Sequence, residues 1–215
     1  MRKIRRFKIP VHHREISRRA ARFPDDLAAA GVSGEKELFE FISVLAGELE
    51  PGVVFDSFGK DSVLFTGLDI PANRMFSAAI ATLGPKLEAK IAGLESASAR
   101  KIAAIAAFEF MECAVDLVSE LAAEEAAKEN FVLAGNEILL EPALPPGVAS
   151  DGAYRPRFLK NARIVVGETR SKALAAVLES LNAMKISVFI ADGQANPRLT
   201  AAFLAPWLAK KKGRK

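Results

Sequence analysis

One segment of this 215-residue chain, residues 75–118, constrains the fold more than any other. It opens with the apolar run FSAAIAT, turns at Thr82-Leu83-Gly84-Pro85 and continues into helical sequence. Glycine permits a sharp turn, and proline suits the first position of a helix. The segment therefore predicts a buried strand that includes Ala78–Ala81, a short helix after the turn, and a long alanine-rich helix with an acidic stripe.

Composition indicates a chain that can build a sizeable hydrophobic core. Half of the residues are hydrophobic, yet no apolar run approaches the roughly 20 residues that cross a bilayer. The basic N-terminus has no apolar stretch behind it, so it is not expected to act as a secretory signal. The single cysteine, Cys113, cannot form an internal disulfide, which favours a reduced, cytoplasmic setting.

Positive charge is concentrated at the two ends of the chain. Nine of the first 22 residues and five of the last six are Lys or Arg. A solvated basic surface is the simpler interpretation, and nucleic-acid binding is the weakest alternative because the chain lacks an accompanying aromatic platform. We predict a basic N-terminal arm over residues 1–11, one α+β domain over residues 12–208, and a basic tail over residues 209–215.

Hydrophobic periodicity and turn residues predict the remaining elements. Before the central segment they predict helices over 12–30 and from about Glu35 to Leu49, and a hairpin of Val53–Phe58 and Ser62–Thr66 around Gly59-Lys60-Asp61. After it they predict a strand over Phe131–Glu141 interrupted at Gly135-Asn136, a loop over Pro142–Pro156, a strand over Arg163–Val166, a helix over Ser171–Met184, a strand over Ile186–Ala191, and one apolar turn containing Phe203, Leu204 and Trp207.

Separated segments of the chain follow one another in a recognisable order. They are Glu50-Pro51 before Val53-Val54-Phe55, Thr82-Leu83-Gly84 before Leu87-Glu88 and Ile91, Met111-Glu112 with Asp116, the loop Pro142–Val148, and the run from Leu181 to Gly193 with Pro197 beyond it. In this order the segments resemble the reductive-activation domain of cobalamin-dependent methionine synthase. The resemblance covers most of residues 12–199, and Tyr154–Thr169 is an insertion.

The resemblance implies an α+β fold, with a curved, mostly antiparallel sheet and helices packed on one side of it. In that fold Ala78–Leu83 would be a central strand, and the helix that contains Glu112 and Asp116 would pack across the sheet. It also implies that the protein presents S-adenosylmethionine for the remethylation of a corrinoid held by a partner protein, such as a methyltransferase. The domain itself would supply no catalytic residue and would not be a self-contained enzyme. Cobalamin would belong to the partner, since this chain lacks a cobalt-ligand loop of the Asp-x-His-x-x-Gly type.

The resemblance places the ligand between the loop Pro142–Val148 and the turn at Asp192, with Pro146, Gly147, Asp192 and Gly193 as binding residues. The family's loop arginine and aromatic residue correspond here to Ala143 and Val148. Losing the arginine costs on the order of 2–5 kcal/mol, so S-adenosylmethionine binding is expected to be weak. Arg155 or Arg157, in the inserted loop, could restore the charge. The alternative function is a non-catalytic interaction module of the same fold.

Three further groups of residues could bind a metal ion or act as a nucleophile. Five carboxylates fall at helical spacing on the long helix: Glu109, Glu112, Asp116, Glu120 and Glu124. A solvated acidic face is favoured over a metal cluster, because di-iron bundles use Glu-x-x-His pairs. His12-His13 is predicted to lie on the surface without binding metal, and Cys113 is predicted to be an unreactive thiol without a neighbouring histidine.

Overall fold

A seven-stranded, mostly antiparallel sheet organises the computed structural model, which describes residues 2–5, 7–59, 62, 75–148, 156–160 and 162–210. The strands are β1 (Arg2–Arg5), β2 (Gly52–Phe58), β3 (Phe76–Thr82), β4 (Phe131–Leu133), β5 (Glu137–Leu140), β6 (Arg163–Ile164), β7 (Phe189–Ala191), β8 (Gln194–Asn196) and β9 (Thr200–Ala209). The α-helices are α1 (His13–Ala20), α2 (Pro24–Ala29), α3 (Glu35–Gly47), α4 (Pro85–Ala92), α5 (Ala97–Lys128), α6 (Arg157–Lys160) and α7 (Gly167–Ser180), and Ala183–Ile186 is a 3₁₀ turn.

The strand order in the large sheet is β1-β2-β3-β9-β5-β6, and β4 pairs with the far end of β9. Only β5 and β6 pair in parallel among these strands, and β7 and β8 form a separate hairpin. The predicted central strand is confirmed, because β3 lies between β2 and β9 and all its residues are buried. The long helix α5 crosses the sheet and contacts β2, β3 and β9, as predicted.

Helices cover both faces of the sheet, not one. Ala79 and Ala81 of β3 face the core beneath α1–α5, whereas Ala78 and Ile80 face a second core beneath α7. β9 alternates in the same way, because its odd and even residues belong to different cores. The predicted one-sided arrangement is therefore wrong, and a mixed α/β fold with a mostly antiparallel sheet is confirmed.

The predicted helix over residues 12–30 is two helices. α1 ends at Ala20, and α2 begins at Pro24, which occupies its first position. A proline disfavours helical conformation in the residue before it, and Phe23 is non-helical with φ −128° and ψ 63°. The chain therefore bends at residues 21–23, so that α1 and α2 pack separately against α5.

The C-terminal apolar segment is a ten-residue strand, not an apolar turn. β9 pairs with β3 over seven residues and is buried from Thr200 to Trp207. A strand covered on both faces has no polar alternation, and its alanines are not typical strand residues.

The predicted strand at Ile186–Ala191 is also shorter than expected, because residues 183–186 form the 3₁₀ turn and β7 begins at Phe189.

The predicted hairpin after Val53–Phe58 falls mostly outside the described residues, since Lys60, Asp61 and residues 63–74 are not described. β2 itself pairs with β1 on one side and β3 on the other. The segment predicted as an N-terminal arm thus contains an edge strand, and Ile9 beyond it is buried in the core.

No helix within the described ranges is long and apolar enough to cross a membrane.

Candidate ligand site and buried ionic cluster

The loop at Pro142–Val148 ends in a tight turn. The Val148 amide donates to the Pro145 carbonyl at 3.2 Å, and Pro146 and Gly147 are the two residues between them. Gly147 has φ +77°, a conformation in which other residues are strained. Ala143, at the position where the resemblance predicts an arginine, donates its amide hydrogen to the Arg198 carbonyl at 2.9 Å.

Asp192 and Gly193 form the two-residue turn of the β7–β8 hairpin. Both have positive φ, 51° and 74°, as a tight hairpin with right-handed strand twist requires. Both residues are exposed, so the Asp192 carboxylate is accessible to solvent. The predicted turn is therefore present, and its carboxylate is available to a ligand.

Arg198 connects the loop to this hairpin. Its Nε donates to the Leu144 carbonyl at 3.0 Å, and its Nη1 contacts Oε1 of Gln194, the first residue after the hairpin turn. Sequence reasoning missed Arg198. A usable signal was present, because Arg198 is the one charged residue between Asp192 and Lys210.

Glu88 of α4 contacts the segment that contains Arg198 and Leu199. Its Oε1 accepts a hydrogen bond from the Leu199 amide, next to Arg198. Burial raises the pKa of Glu88 above its ordinary value, while hydrogen bonds from the Leu199 and Arg198 amides and the charge of Arg198 oppose that rise. The motif residue Glu88 therefore supports the loop that carries Arg198.

An apolar groove of about 810 Å³ lies between α7 and the β7–β8 hairpin. Its lining includes Leu174, Leu178, Val188, Phe189, Ile190 and Gly193. Phe189 is 42% exposed and the neighbouring Met184 is 64% exposed. One predicted site residue, Gly193, thus borders an open apolar surface.

Arg157 lies elsewhere in the structure. Its backbone amide and its Nε both contact the Glu112 carboxylate, the latter at 3.2 Å from Oε2. With Glu112 and Asp116 it lines a different cavity, next to β4 and the turn at residues 134–136. Arg157 is therefore engaged with α5 and does not join the loop at Pro146 and Gly147. Arg155, the other candidate for compensation, lies outside the described residues.

A buried ionic cluster links α1 to α5. Arg19 contacts Glu109 Oε2 at 2.8 Å, Glu112 Oε2 at 3.0 Å and Glu15 Oε1 at 2.6 Å. Glu109 is 0% and Glu112 1% exposed, so the predicted solvated acidic face is wrong for these two residues. It holds for Asp116, Glu120 and Glu124, which are exposed. Burial raises the pKa of Glu109, and the Arg19 guanidinium opposes that shift.

His12 and His13 have different environments. The Nδ1 atom of His12 lies 3.4 Å from Glu109 Oε1 and 3.6 Å from Cys113 Sγ. His13 instead lies 3.4 Å from the Ser43 hydroxyl and packs on Phe39. The prediction that Cys113 has no neighbouring histidine is therefore wrong, because α1 packs against α5 and brings His12 next to it.

Cys113 is expected to react slowly with alkylating reagents. Burial, followed by the charges of Glu109, Asp116 and Glu112, raises its pKa from 9.0 to about 12. This lowers the thiolate fraction at neutral pH about a thousandfold. Iodoacetamide labelling of the folded protein in the presence of a chelator, followed by mass spectrometry, should therefore be far slower than labelling of the urea-unfolded chain. Equal rates in the folded and unfolded protein would contradict this assignment.

The chain matches no protein-family model and no curated protein.

Proposed function

We propose that this protein presents S-adenosylmethionine for the remethylation of a corrinoid held by a partner protein, the role that the sequence resemblance implies. The proposed fold is that of the methionine synthase activation domain. The observation that supports this function is the link from Leu144 through Arg198 to Gln194. It joins the two segments, the loop and the hairpin, to which the resemblance assigns the ligand.

The residues around Arg198 match the chemistry of the ligand. S-Adenosylmethionine carries a carboxylate, a cationic ammonium and sulfonium, and an adenine ring. The guanidinium of the partly buried Arg198 can pair with a carboxylate, and the exposed Asp192 carboxylate suits a cationic group. The groove beside Gly193 offers apolar surface to the ring. Arg198 would thus supply the charge that Ala143 cannot.

When bound, S-adenosylmethionine would supply an electrophilic methyl group to the partner's reduced corrinoid, and S-adenosylhomocysteine would leave. The residues of this chain need only bind and orient the donor, which is a substantial contribution when two reactants must meet in one geometry. The arrangement of Arg198, Glu88 and the loop is suited to that task, because each backbone segment is held by hydrogen bonds.

The second candidate function is a non-catalytic interaction module that binds a corrinoid protein. The exposed side chains of Met184, Phe189 and Ile190 favour it, because they form an apolar surface near the hairpin. Exposed apolar patches on soluble domains often mark protein interfaces. In this alternative the protein no longer binds the methyl donor, which would account for Ala143 and Val148 at the positions of the family's arginine and aromatic residue.

Calorimetric titration with S-adenosylmethionine separates the two functions. We expect a dissociation constant between micromolar and millimolar for the unmodified protein. Arg198→Ala should weaken binding about 10- to 100-fold, because a hydrogen bond to a charged group is lost. Asp192→Ala should abolish measurable binding.

Arg163→Ala is the matched control, since it removes the same charge from the exposed edge strand β6 and should bind normally. Circular dichroism should establish that each variant is folded. No heat at millimolar ligand, together with capture of a corrinoid-loaded methionine synthase, would favour the interaction module. Equal affinity in all variants would place the ligand elsewhere.

A further inference from the structure

Three metal-ligating side chains meet where α1 begins and α5 passes beneath it. They are His12, Glu109 and Cys113, and their Nδ1, carboxylate oxygen and Sγ atoms all lie within 4.8 Å of one another. Glu109 and Cys113 are four residues apart on α5, which places them on the same face of the helix. His12 approaches that face from the residue that precedes α1.

The two separations from His12 Nδ1 to the other donor atoms match those of ligands around one tetrahedral ion. Zinc bonds of about 2.0–2.1 Å to nitrogen, 2.0–2.2 Å to oxygen and 2.3 Å to sulfur place nitrogen about 3.4 Å from oxygen and about 3.6 Å from sulfur. The observed His12–Glu109 and His12–Cys113 separations are 3.4 Å and 3.6 Å. The side chains therefore have a spacing that a zinc ion can bridge.

The surroundings hold these ligands in position. The second oxygen of Glu109 contacts Arg19 at 2.8 Å, so the carboxylate is oriented by a neighbouring group, as ligands of metal sites usually are. The His12 carbonyl accepts hydrogen bonds from the Glu15 and Ile16 amides at 3.0 Å and 3.1 Å, which fixes the backbone that carries the ring. Glu109 and Cys113 are buried, whereas the His12 side chain is 51% exposed.

We infer that His12, Glu109 and Cys113 form a binding site for a zinc-class divalent cation. Imidazole, thiolate and carboxylate together suit zinc better than magnesium or calcium, which prefer oxygen ligands alone. Three protein ligands leave a fourth position for water or another small ligand, reached past the half-exposed histidine. On binding, the Cys113 S–H proton passes to solvent and a metal–sulfur bond forms in its place.

The test uses the full chain without a histidine tag, stripped of metal by chelator and then titrated with Co²⁺ and with Zn²⁺. Co²⁺ should bind at one equivalent and give a thiolate charge-transfer absorption band. Zn²⁺ should displace it and raise the melting temperature, because a ligand that binds only the folded state stabilises that state. Competition with a chromophoric chelator gives the affinity.

The adjacent histidines provide a matched pair of variants. Cys113→Ser should abolish the charge-transfer band, and His12→Gln should weaken binding at least tenfold. His13→Gln should bind like the unmodified protein, because His13 faces Ser43 and Phe39. Lack of Co²⁺ and Zn²⁺ binding by the folded protein would overturn the inference. So would equal affinity in His12→Gln and His13→Gln, or a band that survives Cys113→Ser.

Discussion

Replacing Arg19 with methionine is expected to lower the free energy of unfolding by about 3–5 kcal/mol. The substitution keeps an apolar stem of similar length but removes the guanidinium that contacts Glu109 and Glu112. Glu112 retains its contacts with Arg157, whereas Glu109 is left buried without this cation. Urea denaturation followed by circular dichroism at pH 7 measures the loss.

Arg18→Met is the matched control, because Arg18 is 61% exposed and pairs with Glu15 at the surface. Its loss of stability should be much smaller, because a solvent-exposed ion pair contributes little to stability. Adding Glu109→Gln to Arg19→Met should recover part of the stability by removing the buried charge. The deficit of Arg19→Met should also shrink as the pH falls, because burial raises the pKa of Glu109 and protonation neutralises it. Equal losses for Arg18→Met and Arg19→Met would contradict the buried cluster.

Gly84→Ala is expected to destabilise the protein by about 2–6 kcal/mol, combining backbone strain with a steric clash. Gly84 has φ 84° and ψ 167°, a region that side chains other than glycine rarely adopt. A Cβ atom there would lie 2.7 Å from the Glu50 Cβ and 2.9 Å from the Glu50 carbonyl oxygen. Thermal or urea denaturation of the variant measures the effect.

Gly31→Ala separates the two causes. Gly31 also has positive φ, +75°, but a Cβ atom there would meet no atom within 4 Å. Its loss should be limited to backbone strain, about 1–2 kcal/mol. A Gly84→Ala variant no less stable than Gly31→Ala would show that residues 83–85 do not pack against Glu50 as described.

The strand, turn and helix around Gly84 were predictable because each signal is local. An apolar run ends at a glycine with positive φ, and Pro85 begins the next helix. The C-terminal strand β9 was not predictable in this way, since its alternate residues enter two different cores. Burial on both faces removes the polar alternation that marks a strand, and that burial depends on helices distant in sequence.

The site residues show the same contrast between local signals, which could be predicted, and long-range contacts, which could not. The turns at Gly147 and at Asp192-Gly193 were predictable from residue type, since glycine and aspartate favour positive φ in tight turns. Pairing between distant charges was not, because Arg19 and Glu112 are 93 residues apart in sequence. The same holds for Arg198, whose partner Leu144 lies 54 residues away. Spacing along a helix shows which carboxylates lie on the same face, but not which element packs against that face.

The proposed function rests on transfer of a methyl group to a partner's corrinoid, which can be measured directly. S-Adenosylmethionine labelled in its methyl group is incubated at millimolar concentration with a cobalamin-loaded methionine synthase lacking its own activation domain, a one-electron reductant, and this protein. We expect label to enter the corrinoid faster with this protein than without it, and Arg198→Ala to lose most of the gain while Arg163→Ala keeps it. Label incorporation at the same rate with and without the protein would contradict the proposal.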